Sequence, residues 1–232
     1  MLQIVMVVAL LAGWLAAVVL IIKAGYFTKF LVKLGITEQK AKMNWTAFSW
    51  DSCLQKLEYK ADVVFFGDSI IRGGDFHKAF PHQKIVNLGC SGDTLPGMCN
   101  RLSMIQAVAP KKVFVMGGIN GLTDYNLSNC VKNYARLLEQ LKCTSPNARI
   151  YVHSILPITK EKEKQICKNT TIQQFNHKIY ALAEEKGAVY IDLYPCYEKD
   201  GQLNPELSKD GLHLHPEAYE QWMQVIAPYM ED

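Results

Sequence analysis

A serine hydroxyl becomes a nucleophile when a base can take its proton, an acid orients that base, and hydrogen-bond donors await the charge that develops on the attacked carbonyl. The chain offers each part at a separate place. Ser69 follows the apolar run "ADVVFFGD", directly after Asp68 and two residues beyond Gly67, where a buried strand gives way to a turn. Taken alone, G-D-S also fits a plain turn, and Ile71 stands where the G-x-S-x-G elbow would need its second glycine. Of the six histidines, His77 and His82 lie in a polar loop, His153 in a strand-like run and His177 in a helix-like one, and none of these needs a chemical role. His213 and His215 fall in "SKDGLHLHPEAY", with Asp210 three residues before His213 and Gly211 between them. A carboxylate at that spacing can hold the Nδ1 proton and leave Nε2 to receive the proton of Ser69. His215 reads instead as a cap or a substrate neighbour.

Acyl transfer also needs donors for an oxyanion, and loss of one such donor typically slows turnover about 100- to 1000-fold. The segment "VNLGCSGDT" supplies Gly89, whose amide no side chain shields, and "VMGGINGL" supplies Gly117, Gly118 and then the neutral amide of Asn120. The Ser69 amide is a third donor. Asp93 is expected to be a loop-stabilising acceptor, and Arg72 to be a lid contact or a solvated charge.

These residues need elements to hold them. Five short, β-branched-rich runs at 62–67, 84–89, 112–118, 149–156 and 188–194 read as strands buried on both faces. Helix-length segments lie between them at 94–108, 127–142 and 170–186, and a last one starts at Pro216, a residue suited to a first helical turn. Alternation of this kind predicts an α/β fold, a doubly wound parallel sheet whose crevice lies at the carboxyl ends of its strands. Ser69, Gly89 and Asn120 all follow predicted strand ends.

The blocks "FFGDSI", "NLGCSGDT", "GGIN" and "DGLH", in this order, resemble those of the SGNH or GDSL hydrolase family over residues 60–230. The resemblance implies a flavodoxin-like, three-layer α/β/α domain with a five-stranded parallel sheet, and a serine esterase or lipase that needs no metal or organic cofactor. It further implies Ser69 as nucleophile, His213 as base, Asp210 as its orienter, and an oxyanion hole of the Ser69 amide, the Gly89 amide and the Asn120 side chain. Many members carry an aspartate after the third-block asparagine, where this chain has Gly121. That difference is expected to touch loop hydrogen bonding or substrate choice more than the reaction.

The whole chain, 232 residues with a formal net charge of +3, is too weakly basic to suggest a nucleic-acid partner. Its seven cysteines are odd in number and lack C-x-x-C spacing, which fits reduced thiols. Residues 4–22 carry no charged side chain and as a helix would span about 30 Å of hydrocarbon. The expected organisation is a transmembrane anchor at 1–25, a linker and packing segment at 26–60, and a hydrolase domain at 61–232. Lys23, Lys29 and Lys33 after the apolar run favour a cytoplasmic domain, whereas N-x-[ST] triplets at Asn44, Asn126 and Asn169 point the other way. The expected partner is a small-molecule or glycan ester: short polar loops favour acetyl groups on carbohydrate. Lysophospholipids, acyl thioesters and a non-catalytic, membrane-tethered binding module are the alternatives.

Overall fold

The computed structural model describes residues 60–231, so the apolar run at 4–22, most of the 26–60 segment, and Asn44 and Cys53 lie outside the described residues. Among the described residues no helix is long and apolar enough to cross a membrane. Five strands, β1 (Val63–Gly67), β2 (Ile85–Gly89), β3 (Lys112–Met116), β4 (Arg149–His153) and β5 (Val189–Ile191), form one parallel sheet in the order β2-β1-β3-β4-β5. The expected five-stranded sheet is thus present. Its order reverses between β1 and β3, which places the topological switch point at the ends that carry Ser69 and Asn120.

Helices cover both faces, which is why the strands read as nearly continuous apolar runs. Val64, Phe66, Val113 and Val115 face a core shared with α3 (Leu95–Cys99), α4 (Ser103–Val108), α5 (Leu127–Thr144) and α7 (Asn169–Glu185). Val63, Phe65, Phe114 and Tyr151 face the opposite core, built with α1 (Ser69–Gly73), α2 (Phe76–Ala79) and the last helix, α9 (Tyr219–Glu231). Two short helices, α6 (Lys160–Glu163) and α8 (Tyr194–Tyr197), and a small hairpin, β6 (Glu198–Lys199) with β7 (Gln202–Leu203), complete the domain. Because parallel register aligns Phe65 with Phe114 and Phe114 with Tyr151, their rings stack across the sheet at centroid separations of 4.9 and 4.4 Å.

Two details depart from the sequence pattern. Residues 94–108, expected as one helix, break into α3 and α4, and Arg101 turns inward at the break. The apolar runs also outlast their strands: residues 155–158 leave the sheet and lie along α7. There Asn176 accepts from the Ile155 amide and donates to the Ile155 carbonyl, each at 2.8 Å, and Asn169 does the same for Ile158. Asn126 is also buried, accepting from Thr123 and donating to Gly121. Glycosylation of Asn126 or Asn169 would break these bonds, so those two triplets say nothing about compartment.

Candidate active site

Gly67 ends β1 because only a hydrogen fits there. A Cβ at that position would stand 2.1 Å from the Met116 carbonyl oxygen. Its φ is not positive, so close approach of β3, and not a sharp turn, is what demands glycine. Asp68 then caps α1 by accepting from the Ile70 amide at 2.9 Å, and Ser69 becomes the first residue of that helix, half-buried at the sheet's edge. The Tyr219 hydroxyl, at the start of α9, donates to the Ile70 carbonyl at 2.6 Å and ties the serine turn to the C-terminal segment.

That segment brings the histidine. Gly211 adopts φ +84 with no room for a side chain, since a Cβ would lie 2.3 Å from Thr159 Oγ1. Ser208 accepts from the Gly211 amide at 2.8 Å and donates to the His213 carbonyl at 2.9 Å, while Lys209 also donates to that carbonyl. Within this closed loop Asp210 Oδ1 accepts from the amides of Leu212 and His213, and Oδ2 lies 2.9 Å from His213 Nδ1. His213 Nε2 lies 2.9 Å from Ser69 Oγ, across 144 positions of sequence. The three side chains therefore form one hydrogen-bonded line. His215 is not part of it and occupies the N-cap position of the 3₁₀ turn Pro216–Ala218, where its side chain makes no capping bond among the described residues.

Two carboxyls near the line respond oppositely to their surroundings. Partial burial pushes Asp210 upward, but the His213 amide and imidazole and the Leu212 amide outweigh it and hold the carboxyl at about 2. Asp68 is fully buried, and desolvation, aided by the negative Asp93, lifts it to about 6 against the pull of the Ile70 amide, His213 and Arg101.

The oxyanion donors need one correction. The Gly89 amide donates to Asn87 Oδ1 at 2.9 Å, and Asn87 Nδ2 in turn holds the Ile71 and Gly74 carbonyls. Gly89 is glycine for space, since a Cβ would meet the Arg72 nitrogen at 2.2 Å. The loop's other glycine, Gly92, sits at φ +70 in a turn closed by the Asp93 amide on the Cys90 carbonyl, and its own N–H meets no acceptor among the described residues. The signal for it was the S-G-D-T sequence itself, a glycine in a polar turn after a strand. Asn120 donates one Nδ2 proton to the Asp93 carbonyl at 2.8 Å, leaving the other for a ligand, and joins its loop to the Gly92 turn. The loop after Gly121 is held by Asn126 and by Asp124, which accepts from the Lys168 amide and the Thr171 hydroxyl. Asp93 is the acceptor expected of it, taking Thr94 and Arg101, and Arg72 is exposed with one bond to Ser91.

A small apolar recess lies beside the line, lined by Asp68, Ile70, Met116, Ile119, Ile155, Leu156 and Leu212, with room for about one water-sized group. Three of its walls, Ile70, Ile119 and Leu212, are the direct neighbours of Ser69, Asn120 and His213. Among the described residues no cluster of histidines, cysteines and carboxylates could hold a metal ion.

Comparison with known proteins bears on the fold and the family. The sequence pattern of the GDSL-like Lipase/Acylhydrolase family matches residues 65–221. No match is found among curated proteins. A GDSL-like lipase of Bacteroides thetaiotaomicron superposes with a TM-score of 0.67 at 24% identity, covering 80% of this chain and 96% of its own. A lipase/acylhydrolase of Enterococcus faecalis gives 0.61 at 19% identity, covering 73% and 94%. A variant of an acetyl-xylooligosaccharide esterase from a Geobacillus gives 0.59 at 16% identity, covering 75% and 95%. At such identities the three share the fold.

Proposed function

Because the chain belongs to the GDSL-like lipase/acylhydrolase family and is an ester hydrolase, we propose that Ser69, His213 and Asp210 carry a two-step acyl transfer that removes short acyl groups, acetyl first among them, from carbohydrate. The observation that carries the assignment is the hydrogen-bonded line from Asp210 through His213 to Ser69. His213 Nε2 takes the proton of Ser69 as Oγ attacks the ester carbonyl. Asp210 holds the Nδ1 proton and balances the charge the ring acquires. The alcohol leaves with the proton from Nε2, and water, activated by the same nitrogen, clears the acyl-serine. The negative oxygen of each tetrahedral intermediate accepts from the Ser69 amide, the Gly92 amide and the free Nδ2 proton of Asn120.

The apolar recess supports a short acyl group, since its inner space holds about one water-sized group, the size of a methyl. The Geobacillus esterase, by its name, acts on acetylated xylooligosaccharides, which supports a sugar as the alcohol. The apolar sequence at 4–22 supports a membrane tether for the whole enzyme. Turnover of p-nitrophenyl acetate, butyrate and octanoate by the full chain, with acetylated xylooligosaccharides as the natural-type substrate, tests the proposal. Acetate is expected to be preferred and Ser69→Ala to abolish all turnover while the circular dichroism spectrum is unchanged. A folded Ser69→Ala protein that keeps its activity removes the nucleophile assignment, and a preference for octanoate removes the short-acyl one.

A further inference from the structure

Three strand ends must hold still together if their donors are to surround one oxygen, and a single side chain joins them. Arg101, only 5% exposed, enters the sheet's edge from the break between α3 and α4. Its Nε donates to Asp93 Oδ2, its Nη1 to the Leu88 carbonyl and its Nη2 to the Gly67 carbonyl, each at 2.7 Å. The guanidinium lies over the Phe66 ring, 4.2 Å from its centroid. Gly67 stands two residues before Ser69. Its carbonyl also receives the Cys90 amide at 2.9 Å, so β1 and the loop after β2 meet on the same oxygen. Asp93 follows Gly92, and the Asp93 carbonyl receives Asn120. Each donor of the oxyanion site is thus tied to one cation, Ser69 along the chain from Gly67, Gly92 through its neighbour Asp93, and Asn120 through the Asp93 carbonyl. A buried ion pair is weak support for stability against an apolar pair of the same shape. The two further bonds, to carbonyls on different strands, point to another use.

We infer that Arg101 is the positioning residue of the oxyanion hole: it fixes the ends of β1 and β2 and the Gly92 turn so that the donors converge before an ester arrives. The inference rests on the esterase reading given above. Arg101 touches no substrate. Its effect falls on charge that exists only in the transition state, so it belongs to kcat and not to KM. Lysine in its place keeps the charge but lacks the planar fork that reaches three acceptors in three directions.

Arg101→Lys is compared with wild type on p-nitrophenyl acetate, with Ser69→Ala as the blank. A fluorophosphonate, allowed to react to completion, counts competent sites. The expected result is a fall in kcat per competent site of about 100-fold, the scale of one lost oxyanion donor, with KM changed less than about threefold. The double variant Arg101→Gln/Asp93→Asn, which removes both partners of the buried Arg101–Asp93 ion pair, is expected to fold and to show the same loss. The inference is overturned if either variant, folded, keeps kcat per site within about threefold of wild type, or if only the number of competent sites falls. Equal inactivity of wild type and Ser69→Ala overturns the esterase reading itself, and the role of Arg101 with it.

Discussion

On the proposed short-acyl reading Ile155 limits how far an acyl chain can extend, because it lines the recess and its Cδ1 lies 3.1 Å from where a Cβ on Gly118 would stand. Ile155→Val removes one methyl from that wall. The expected outcome is a butyrate-to-acetate ratio in kcat/KM raised by about 10-fold, the low end of what one methylene is worth in an apolar pocket, and the same ester panel measures it. An unchanged ratio would mean that the acyl group lies elsewhere. Residues of this kind explain what the sequence could and could not tell. Asp210 and His213 were legible because their partnership is local, three positions apart, and needs only Gly211 to fold back on itself. The choice between Gly89 and Gly92 was not, since both are unshielded glycines after a strand. It is the side chain of Asn87 that takes the Gly89 amide out of play. The recess was illegible too: its walls come from four separate stretches and, Asp68 apart, are ordinary apolar residues.

At the level of elements, the periodicities located all five strands and the long helices, because a sheet covered on both faces forces apolar runs and amphipathic crossovers. What the pattern could not locate was where a run stops pairing. Residues 155 and 156 are as apolar as the strand before them, yet the backbone of Ile155 is paired by the side chain of Asn176 on α7, which imitates a neighbouring strand with one amide. Asn176→Ala would leave a buried N–H and C=O unpaired. That is expected to destabilise the domain by roughly 2–3 kcal/mol and to loosen acyl selectivity at the same time, read as a lower urea midpoint with a flatter acetate-to-butyrate preference. A stability loss with selectivity intact would show that α7 supports the fold but not the recess. The split of residues 94–108 had a similar origin. An arginine in an apolar helix reads as a solvated charge until the acceptors that surround it, two of them backbone carbonyls, are known.

For the molecule as a whole, two buried groups pull stability in opposite directions as pH falls. Asp68 is raised from 3.8 to about 6, so between those values the fold holds a proton that the unfolded chain releases, and acidification through 6 stabilises it. His153, fully buried on β4 with neither ring nitrogen bonded among the described residues, is lowered by desolvation from 6.5 to about 3. Below 6.5 the unfolded chain takes up a proton that this fold refuses, so the same acidification destabilises it. The two slopes offset each other between about pH 6 and 4. Asp68→Asn, which keeps the helix cap, is expected to raise the melting temperature at pH 7 and to make it fall steeply toward pH 4. His153→Phe, fitted between Phe114 and Trp222, is expected to make it rise instead. Thermal melts followed by circular dichroism across that range check both, and curves parallel to wild type would dismiss the assignment. The distance in sequence between the Ser69 oxygen and the His213 ring has a further meaning. Translation at about 5–20 residues per second needs roughly 7–30 s to cover the 144 positions that separate them. Throughout that interval a nascent chain on the ribosome carries Ser69 without the imidazole proposed to activate it.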